Sequence, residues 1–584
     1  MNAARLLAHY EQVADAPDAI ARLRRFVLDL SVRGKLVPQA SDDEPASELL
    51  KQIAKEKTRL VNAGEIRKPR DLDSSNKFDE PFAIPNTWEW VRLDALGAII
   101  GGGTPSAADP ENFTEPGRGV PWLTPADLGG YADLFIERGS RDLTEKGSRT
   151  SSATLMPKGT VLFTSRAPIG YVAIAANPIS TNQGFKSIVP YILECSRFIA
   201  TAMTAFAPEI DAKAPGTTFK EVSGKIVAAI PFPLPPLAEQ HRIIARVDEL
   251  MGLCDRLEAA RADRETVRDR LSAASLARLN APDPEAFEDD ANFAFNALPA
   301  LTKRPDQVKA LRQTILNLAV SGKLVKQDAN EESAEELLSR KCKAGGNVNL
   351  RRAVPEIVEM PNTLDAEQLP TGWCLQSIAS LLRIGAIVDL KDGNHGANHP
   401  KISDFVSTGI PFITAAQVSE TGQIDYEGTY KLDGKPLSKL KVGFAKKGDV
   451  IYTHKGSVGR VALCYHDCVL SPQTTYYRPD ESIINNAFLR IMLLSDQYRF
   501  QVDAVKKQTT RDFVSIQKQY GFFIYLPPIA EQSRIVAKVN KLMVLCDKLE
   551  ASLTAATDTR RRLLDALLAE ALASDEDRLL EAAE

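Results

Sequence analysis

PPLAEQHRIIARVDELMGLCDRLEA runs from Pro235 to Ala259, and PPIAEQSRIVAKVNKLMVLCDKLEA runs from Pro527 to Ala551, 292 positions later. A second pair, LRRFVLDLSVRGKLVPQ from Leu23 and LRQTILNLAVSGKLVKQ from Leu311, recurs at a spacing of 288. Weaker matches keep the same order between these anchors. GVPWLTPADL at Gly119 aligns with GIPFITAAQV at Gly409, and MPKGTVLFTSRAPIGYVAIA at Met156 with AKKGDVIYTHKGSVGRVALC at Ala445. Thr217-Thr218 aligns with Thr509-Thr510. The chain is therefore two copies of one unit, with nearly identical ends and divergent middles. Such a frame suits a shared scaffold that carries two different recognition surfaces.

The repeated ends read as helix. Ile243, Val247, Leu250, Cys254 and Leu257 are spaced four, three, four and three apart, and Ile535, Val539, Leu542, Cys546, Leu549 and Leu553 follow the same a/d pattern. Proline opens each run, and Glu239 and Glu531 sit where a helix N-terminus favours an acid. The first rod is expected to reach about Leu279, roughly 65 Å at ~1.5 Å per residue. Further helices are expected near Pro17–Val32, Asp306–Val320 and Ser333–Arg340. The N-terminal helix lacks an adjacent long partner and the C-terminal rod lacks a following short one. Each is the missing half of the other, which brings the ends of the chain together.

The middles read as short β-runs (GTVLFTSR, GYVAIAA, GDVIYTHK, GRVALCY) punctuated by Gly, Pro and Asp, with helices at SRFIATAMTAF and NAFLRIMLLSDQYRF. The expected fold class is α+β: two globular lobes separated by two long antiparallel, coiled-coil-like helical regions, with a pseudo-twofold repeat and a circular arrangement of termini. The expected divisions are 1–87 (helical), 88–234 (first lobe), 235–372 (central helical region), 373–526 (second lobe) and 527–584 (C-terminal helical region).

Chemistry-bearing motifs are sparse. No adenosylmethionine loop accompanies an Asn/Asp-Pro-Pro-aromatic tetrapeptide; Asn177-Pro178-Ile179 lacks the second proline and the aromatic. Gly101-Gly102-Gly103 has neither the GK[ST] of a P-loop nor the G-x-G-x-x-G register and reads as a turn. The chain has six histidines and seven cysteines. Cys464, His466 and Cys468 alternate along an expected strand with His454 upstream, but lack a fourth partner at finger-like spacing, so no metal is expected. Cys254 and Cys546 read as core packing. The odd cysteine count and the absence of an ~18-residue apolar run or signal-peptide core point to a reduced cytoplasm without a membrane span.

A net charge of −4 does not describe a basic coat, but charge is uneven. The second lobe is cationic by four charges and the first is nearly neutral. Lys506, Lys507 and Arg511 flank Gln508-Thr509-Thr510, and Lys213, Lys220 and Lys225 surround Thr217-Thr218. Cations interleaved with hydroxyls and amides can hold phosphates and reach base edges. Arg166 with its counterpart Lys455, and Arg460, Lys391, His395 and Gln473, complete the candidate DNA-binding set. No catalytic residue is assigned.

The two PP[LI]AEQ runs, each preceded by Thr-Thr and followed by a long helix, resemble the conserved regions of type I restriction–modification specificity subunits. GGTPS (Gly102 to Ser106) before VPWLTPADL resembles the opening of a target-recognition domain in that family. The resemblance covers the chain and implies a non-catalytic subunit that binds a bipartite double-stranded DNA site. It implies two modification subunits carrying S-adenosylmethionine for adenine-N6 methylation, restriction subunits using ATP and Mg, and no cofactor on this chain. The second lobe has GAIVDLKDGNHG in place of GGTPS, implying a different half-site. Two other readings stay open: a structural coiled-coil adaptor of another phage-defence complex, and a cryptic DNA-modifying enzyme.

Overall fold

The computed structural model describes residues 18–64, 80–216, 220–280, 302–344, 369–506 and 512–572, with a few single positions between them. Its main helices are α1 (Ala19–Val32), α2 (Ala46–Asn62), α3 (Ser196–Lys213), α4 (Leu237–Asn280), α5 (Pro305–Val320), α6 (Ala334–Ala344), α7 (Asn486–Leu494), α8 (Asp496–Val505) and α9 (Ile529–Leu572). The chain forms two compact units, residues 1–264 with 557–584, and residues 265–556.

In the first unit, β1 (Glu89–Arg92) pairs with β11 (Pro231–Leu234) and so closes the lobe at its entry and exit. The lobe holds a sheet of order β2-β10-β7-β8-β5, made of Gly97–Gly101, Lys186–Pro190, Val161–Ser165, Ile169–Ala175 and Phe135–Ile136. A second sheet, β3-β6-β4-β9, comprises Phe113–Thr114, Arg141–Leu143, Val120–Leu123 and Ser180–Thr181. In the second unit, β12 (Cys374–Ser377) pairs with β21 (Phe523–Leu526) in the same closing role. Its sheets are β13-β20-β17-β18 (Ile387–Asp392, Thr474–Pro479, Val450–Thr453, Val461–Leu463) and β15-β14-β19-β16 (Lys431–Leu432, Ile410–Ile413, Cys468–Leu470, Phe444–Ala445). The α+β reading therefore holds. NAFLRIMLLSDQYRF is helical and forms two helices, because Ser495 is extended and its hydroxyl caps the Tyr498 N–H of the next helix.

Lobe and scaffold share one core in each unit. Ile243 and Val247 of α4 are buried with Val27 of α1, Phe163 of β7, and Phe198 and Met203 of α3. Ile535, Val539 and Cys546 of α9 are buried with Ile315 of α5, Tyr452 of β17 and Phe488 of α7. The expected seam thus packs on the short helix of its own copy as well as on the lobe. Leu250, Leu542, Leu549 and Leu553 lie partly buried against these cores. Leu257 is a correction: it is exposed, because by that point α4 has passed the lobe and the helix face is held by ions instead. Arg24 of α1 bonds Asp255 and Glu258, and the repeat-equivalent Arg312 of α5 bonds Asp547 and Glu550.

Further along, Gln39 meets Glu239 and Asp43 meets Arg242, so α1 and its following turn run antiparallel to α4. Gln327 with Glu531 and Glu331 with Arg534 repeat the arrangement. Each short helix also reaches the far end of the other long one. Ala16, Ala19, Leu564 and Leu567 form one buried cluster, and Phe26 and Leu30 pack with Leu568. Arg304, at the start of α5, bonds Glu265 and Asp269 of α4. The missing halves do meet.

A buried carboxylate ties each copy together. Glu239 Oε2 accepts from the Trp88 indole N–H at 2.9 Å and Oε1 from the Gln39 amide at 2.6 Å. Glu531 accepts from Trp373 at 3.0 Å and from Gln327 at 3.0 Å. Both glutamates are 0% exposed, so they are structural acceptors and more than surface acids at a helix start. The glycine of each GKLV turn serves the same junction. Gly34 and Gly322 adopt φ of 66° and 71°, and a Cβ there would lie 2.4 Å from Pro85 Cγ or 2.3 Å from Pro370 Cγ, three residues before the tryptophan.

Burial pushes the Glu239 and Glu531 carboxyls above the ordinary glutamate range, partly offset by the Trp and Gln hydrogen bonds. Glu239→Gln removes one of two acceptor oxygens and is expected to cost about 1–3 kcal/mol in chemical denaturation. With a raised folded-state pKa, the unfolded chain loses its proton first as pH climbs. The glutamate's contribution is therefore full below its unfolded value and falls as pH rises through the folded one. The stability gap between wild type and Glu239→Gln should accordingly be wider at acid than at alkaline pH; a gap that widens with pH contradicts the assignment. Separately, Leu564→Asp, at a fully buried position, should cost several kcal/mol (order of magnitude) and raise amide exchange in α1.

Candidate nucleic-acid interface

The strand ends β7 and β17 occupy the same place in the two lobes. Ser165 N donates to Gly184 O at 2.7 Å and Val222 N to Ser165 O at 3.0 Å. His454 N donates to Gln473 O at 3.0 Å and Val514 N to His454 O at 2.9 Å. The next residues are Arg166 and Lys455, each followed by a left-handed residue, Ala167 (φ 53°) and Gly456 (φ 83°). The pairing of Arg166 with Lys455 in the sequence is thus a pairing in the backbone. Beside each strand end passes a glycine that follows the first sheet strand. A Cβ on Gly102 would lie 2.0 Å from Asn182 O, and one on Gly393 2.0 Å from Leu470 O. The second lobe lacks GGTPS but keeps the close backbone crossing that GGTPS provides.

Around the first strand end, Arg166 Nη1 lies 3.4 Å from Glu221 Oε2, and Lys186 Nζ lies 3.7 Å from Glu221 Oε1. The Lys186 ammonium also donates to Gln183 O at 3.3 Å, and the Thr104 hydroxyl of GGTPS donates to the Gln183 amide oxygen. Around the second, His395 Nε2 lies 2.7 Å from Asp392 Oδ2, and Lys455 Nζ lies 5.8 Å from the Phe513 ring centre. The Gln473 backbone holds His454. Lys391 is half-buried and bonds Asp389 at 2.9 Å, which also accepts from the Tyr476 hydroxyl at 2.5 Å. Asp392 pairs in register with Thr475, whose hydroxyl meets the His454 ring, so Asp392 with its His395 partner shares the sheet end that leads into Lys455. His454 itself is buried, bonds Thr475 Oγ1 at 2.7 Å and is pushed down to about 4 by burial, so it is neutral and structural.

Other candidates are placed differently. Lys213 pairs with Glu209 one helical turn back, and Lys225 is exposed in the short helix Gly224–Ala228. Arg460 turns away: its guanidinium donates to Val418 O at 2.9 Å and lies 3.9 Å from Glu420. Thr217, Thr218, Lys507, Thr509, Thr510 and Arg511 lie outside the described residues. Their flanks are described. Lys220 Nζ donates to Asp211 O at 2.9 Å, and Lys506 Nζ lies 2.8 Å from Asp512, so in each lobe a Lys–Asp contact spans the Thr-Thr segment. Sequence reading missed Lys186, Glu221 and Phe513, which come from distant segments. The repeat register linking Glu221 to Phe513 was the signal available.

Cys464, His466 and Cys468 do not alternate along one strand: β18 ends at Leu463 and β19 starts at Cys468, with a turn between. The two sulfurs are buried 3.6 Å apart. Among the described residues no group of His, Cys, Asp or Glu is arranged to hold a metal ion. Cys254 and Cys546 are buried in the helical cores.

A family model described as the type I restriction modification DNA specificity domain matches residues 85–264. The chain is 28% identical to the type I restriction enzyme EcoAI specificity subunit of Escherichia coli, over 94% of this chain and 93% of that one. It is 26% identical to the EcoEI specificity subunit of the same organism, over 95% and 94%. The MjaIX specificity subunit of Methanocaldococcus jannaschii is 39% identical over 27% of this chain and 37% of its own. Among solved structures, the HsdS subunit from Thermoanaerobacter tengcongensis aligns over 85% of this chain and 99% of that one at 18% identity, with a TM-score of 0.41.

The exposed and the anchored lysines should separate by experiment. Lys225→Ala is expected to weaken duplex binding for all sequences alike and to flatten the log–log salt dependence by about one unit. Lys391→Ala removes one of the two side-chain partners of Asp389, leaving the Tyr476 hydroxyl, and should lower the melting temperature while leaving that slope unchanged.

Proposed function

We propose that the chain is a type I restriction–modification specificity protein that reads a bipartite duplex DNA target, one half-site per lobe, for partner subunits that act on the DNA. The observation that carries this reading is the repetition of one cation-bearing strand end, Arg166 with Lys186 at Glu221 and Lys455 over Phe513, on two lobes whose scaffolds are near-identical in sequence. A scaffold repeated with different polar groups at the same place suits two different base sequences better than one.

In this reading the chain performs no bond-making step. A modification subunit supplies S-adenosylmethionine and transfers its methyl group to adenine N6, two such subunits serve the two copies, and a restriction subunit uses ATP and Mg. The assembly acts in the cytoplasm; among the described residues no helix is long and apolar enough to cross a membrane. The phosphate contacts fix position along the duplex, and polar side chains at the strand ends read base edges.

Exchanging residues 88–234 for the equivalent lobe of another specificity protein is expected to change one half of the methylated sequence and leave the other half intact, read by mapping methyladenine in cells carrying the hybrid. Change in both halves would show that the lobes read one continuous sequence. Methyl transfer by the purified chain with no other subunit would instead make it an enzyme, and an assembly that retains no specific DNA would make it an adaptor.

A further inference from the structure

We infer that residues 166 and 221 in the first lobe, and 455 and 513 in the second, are paired specificity positions, and that Arg166 held by Glu221 reads a guanine. The inference rests on the proposed function. The four positions are equivalent by backbone geometry: each cation follows the strand end, precedes a left-handed residue, and faces the residue just before the valine that bonds that strand end. An isolated bridge joins Lys455 to Phe513 directly. The same two backbone sites therefore carry an ion pair in one lobe and a cation over an aromatic ring in the other.

The chemistry of the two pairs differs in a way that DNA can report. A guanidinium is a planar fork of N–H donors that fits O6 and N7 of guanine in the major groove. It reads well only when its plane is held. Glu221 does this from one edge, and Lys186 on the same carboxylate keeps Glu221 in place. The Arg166 side chain is 35% exposed, so it is partly covered and partly open. Lys455 offers a single ammonium over the Phe513 ring, a point charge without a fork. It can hold one acceptor or a phosphate and does not select guanine by a bidentate contact. One half-site therefore contains a guanine set by Arg166, and the matching place in the other half-site does not depend on such a contact.

The test uses the full chain co-expressed with its modification subunit and a randomised duplex DNA library, with bound sequences read at one salt concentration. For Arg166→Lys with Glu221→Phe, enrichment of guanine at one position of one half-site should fall about tenfold, the discrimination typical of one bidentate contact, while the other half-site is unchanged. The reciprocal Lys455→Arg with Phe513→Glu should add a guanine preference in the second half-site, a gain that misfolding cannot imitate. Uniformly weaker binding with every base preference retained would make Arg166 a phosphate contact and overturn the assignment. So would unchanged preferences in both variants, or a change in the wrong half-site. A wild-type assembly that selects no sequence would overturn the proposed function, and this assignment with it.

Discussion

Everything in each copy depends on a carboxylate out of reach of water. Glu239 and Glu531 stand at the start of the two long helices, yet their decisive partners are a tryptophan indole and a glutamine amide brought from far upstream. A buried acid is costly unless its lone pairs are filled. Those hydrogen bonds therefore fix three segments at once: the turn after the short helix, the first residue of the lobe, and the first turn of the rod. The neighbouring Gln240 and Gln532 amides donate to Pro235 O and Pro527 O at 3.0 Å and lock the proline entry beside it.

From that junction the structure grows in two directions. Toward the lobe, the seam residues of the rod are absorbed into the lobe's own core, so lobe and rod are not separately packed bodies. Away from the lobe, apolar packing gives way to Arg24 and Arg312 reaching acid pairs on α4 and α9. Such exposed ion pairs add little stability each, but they set register along the helix, on α4 where Leu257 has left the core and on α9 beside the partly buried Leu549. The closing contacts of Leu564 and Leu567 with Ala16 and Ala19 return to hydrophobic packing, where small residues let two helices approach closely.

The strand ends show how such a frame can carry variable contents. Two main-chain hydrogen bonds recur at Ser165 and His454, and the glycine crossings at Gly102 and Gly393 leave the same lack of room. Side chains on that common backbone differ, Glu221 in one lobe and Phe513 in the other, while the valine that follows each bonds the strand end in both. Many of the cations are engaged with acids: Lys220 and Lys506 span the Thr-Thr segments, and Lys391 is anchored on Asp389. Cation count alone thus overstates the surface available to phosphate.

The sequence by itself determined the repeat and the extents of the rods, because these rest on periodicity and on segments close to identical in both copies, and it showed the α+β character of the lobes in their short β-runs and helical stretches. It determined the equivalence of Arg166 and Lys455 for the same reason. Tertiary structure alone decided which cations are free, that Leu257 is exposed, that Cys464 and Cys468 flank a turn, and that Glu239 and Glu531 are buried. The cation contacts and the buried glutamates depend on partners far away in the chain: Glu221 is 55 positions from Arg166, and Trp88 is 151 from Glu239. A local pattern records which face of an element is apolar. It does not record what the other face meets once the chain has folded back upon itself.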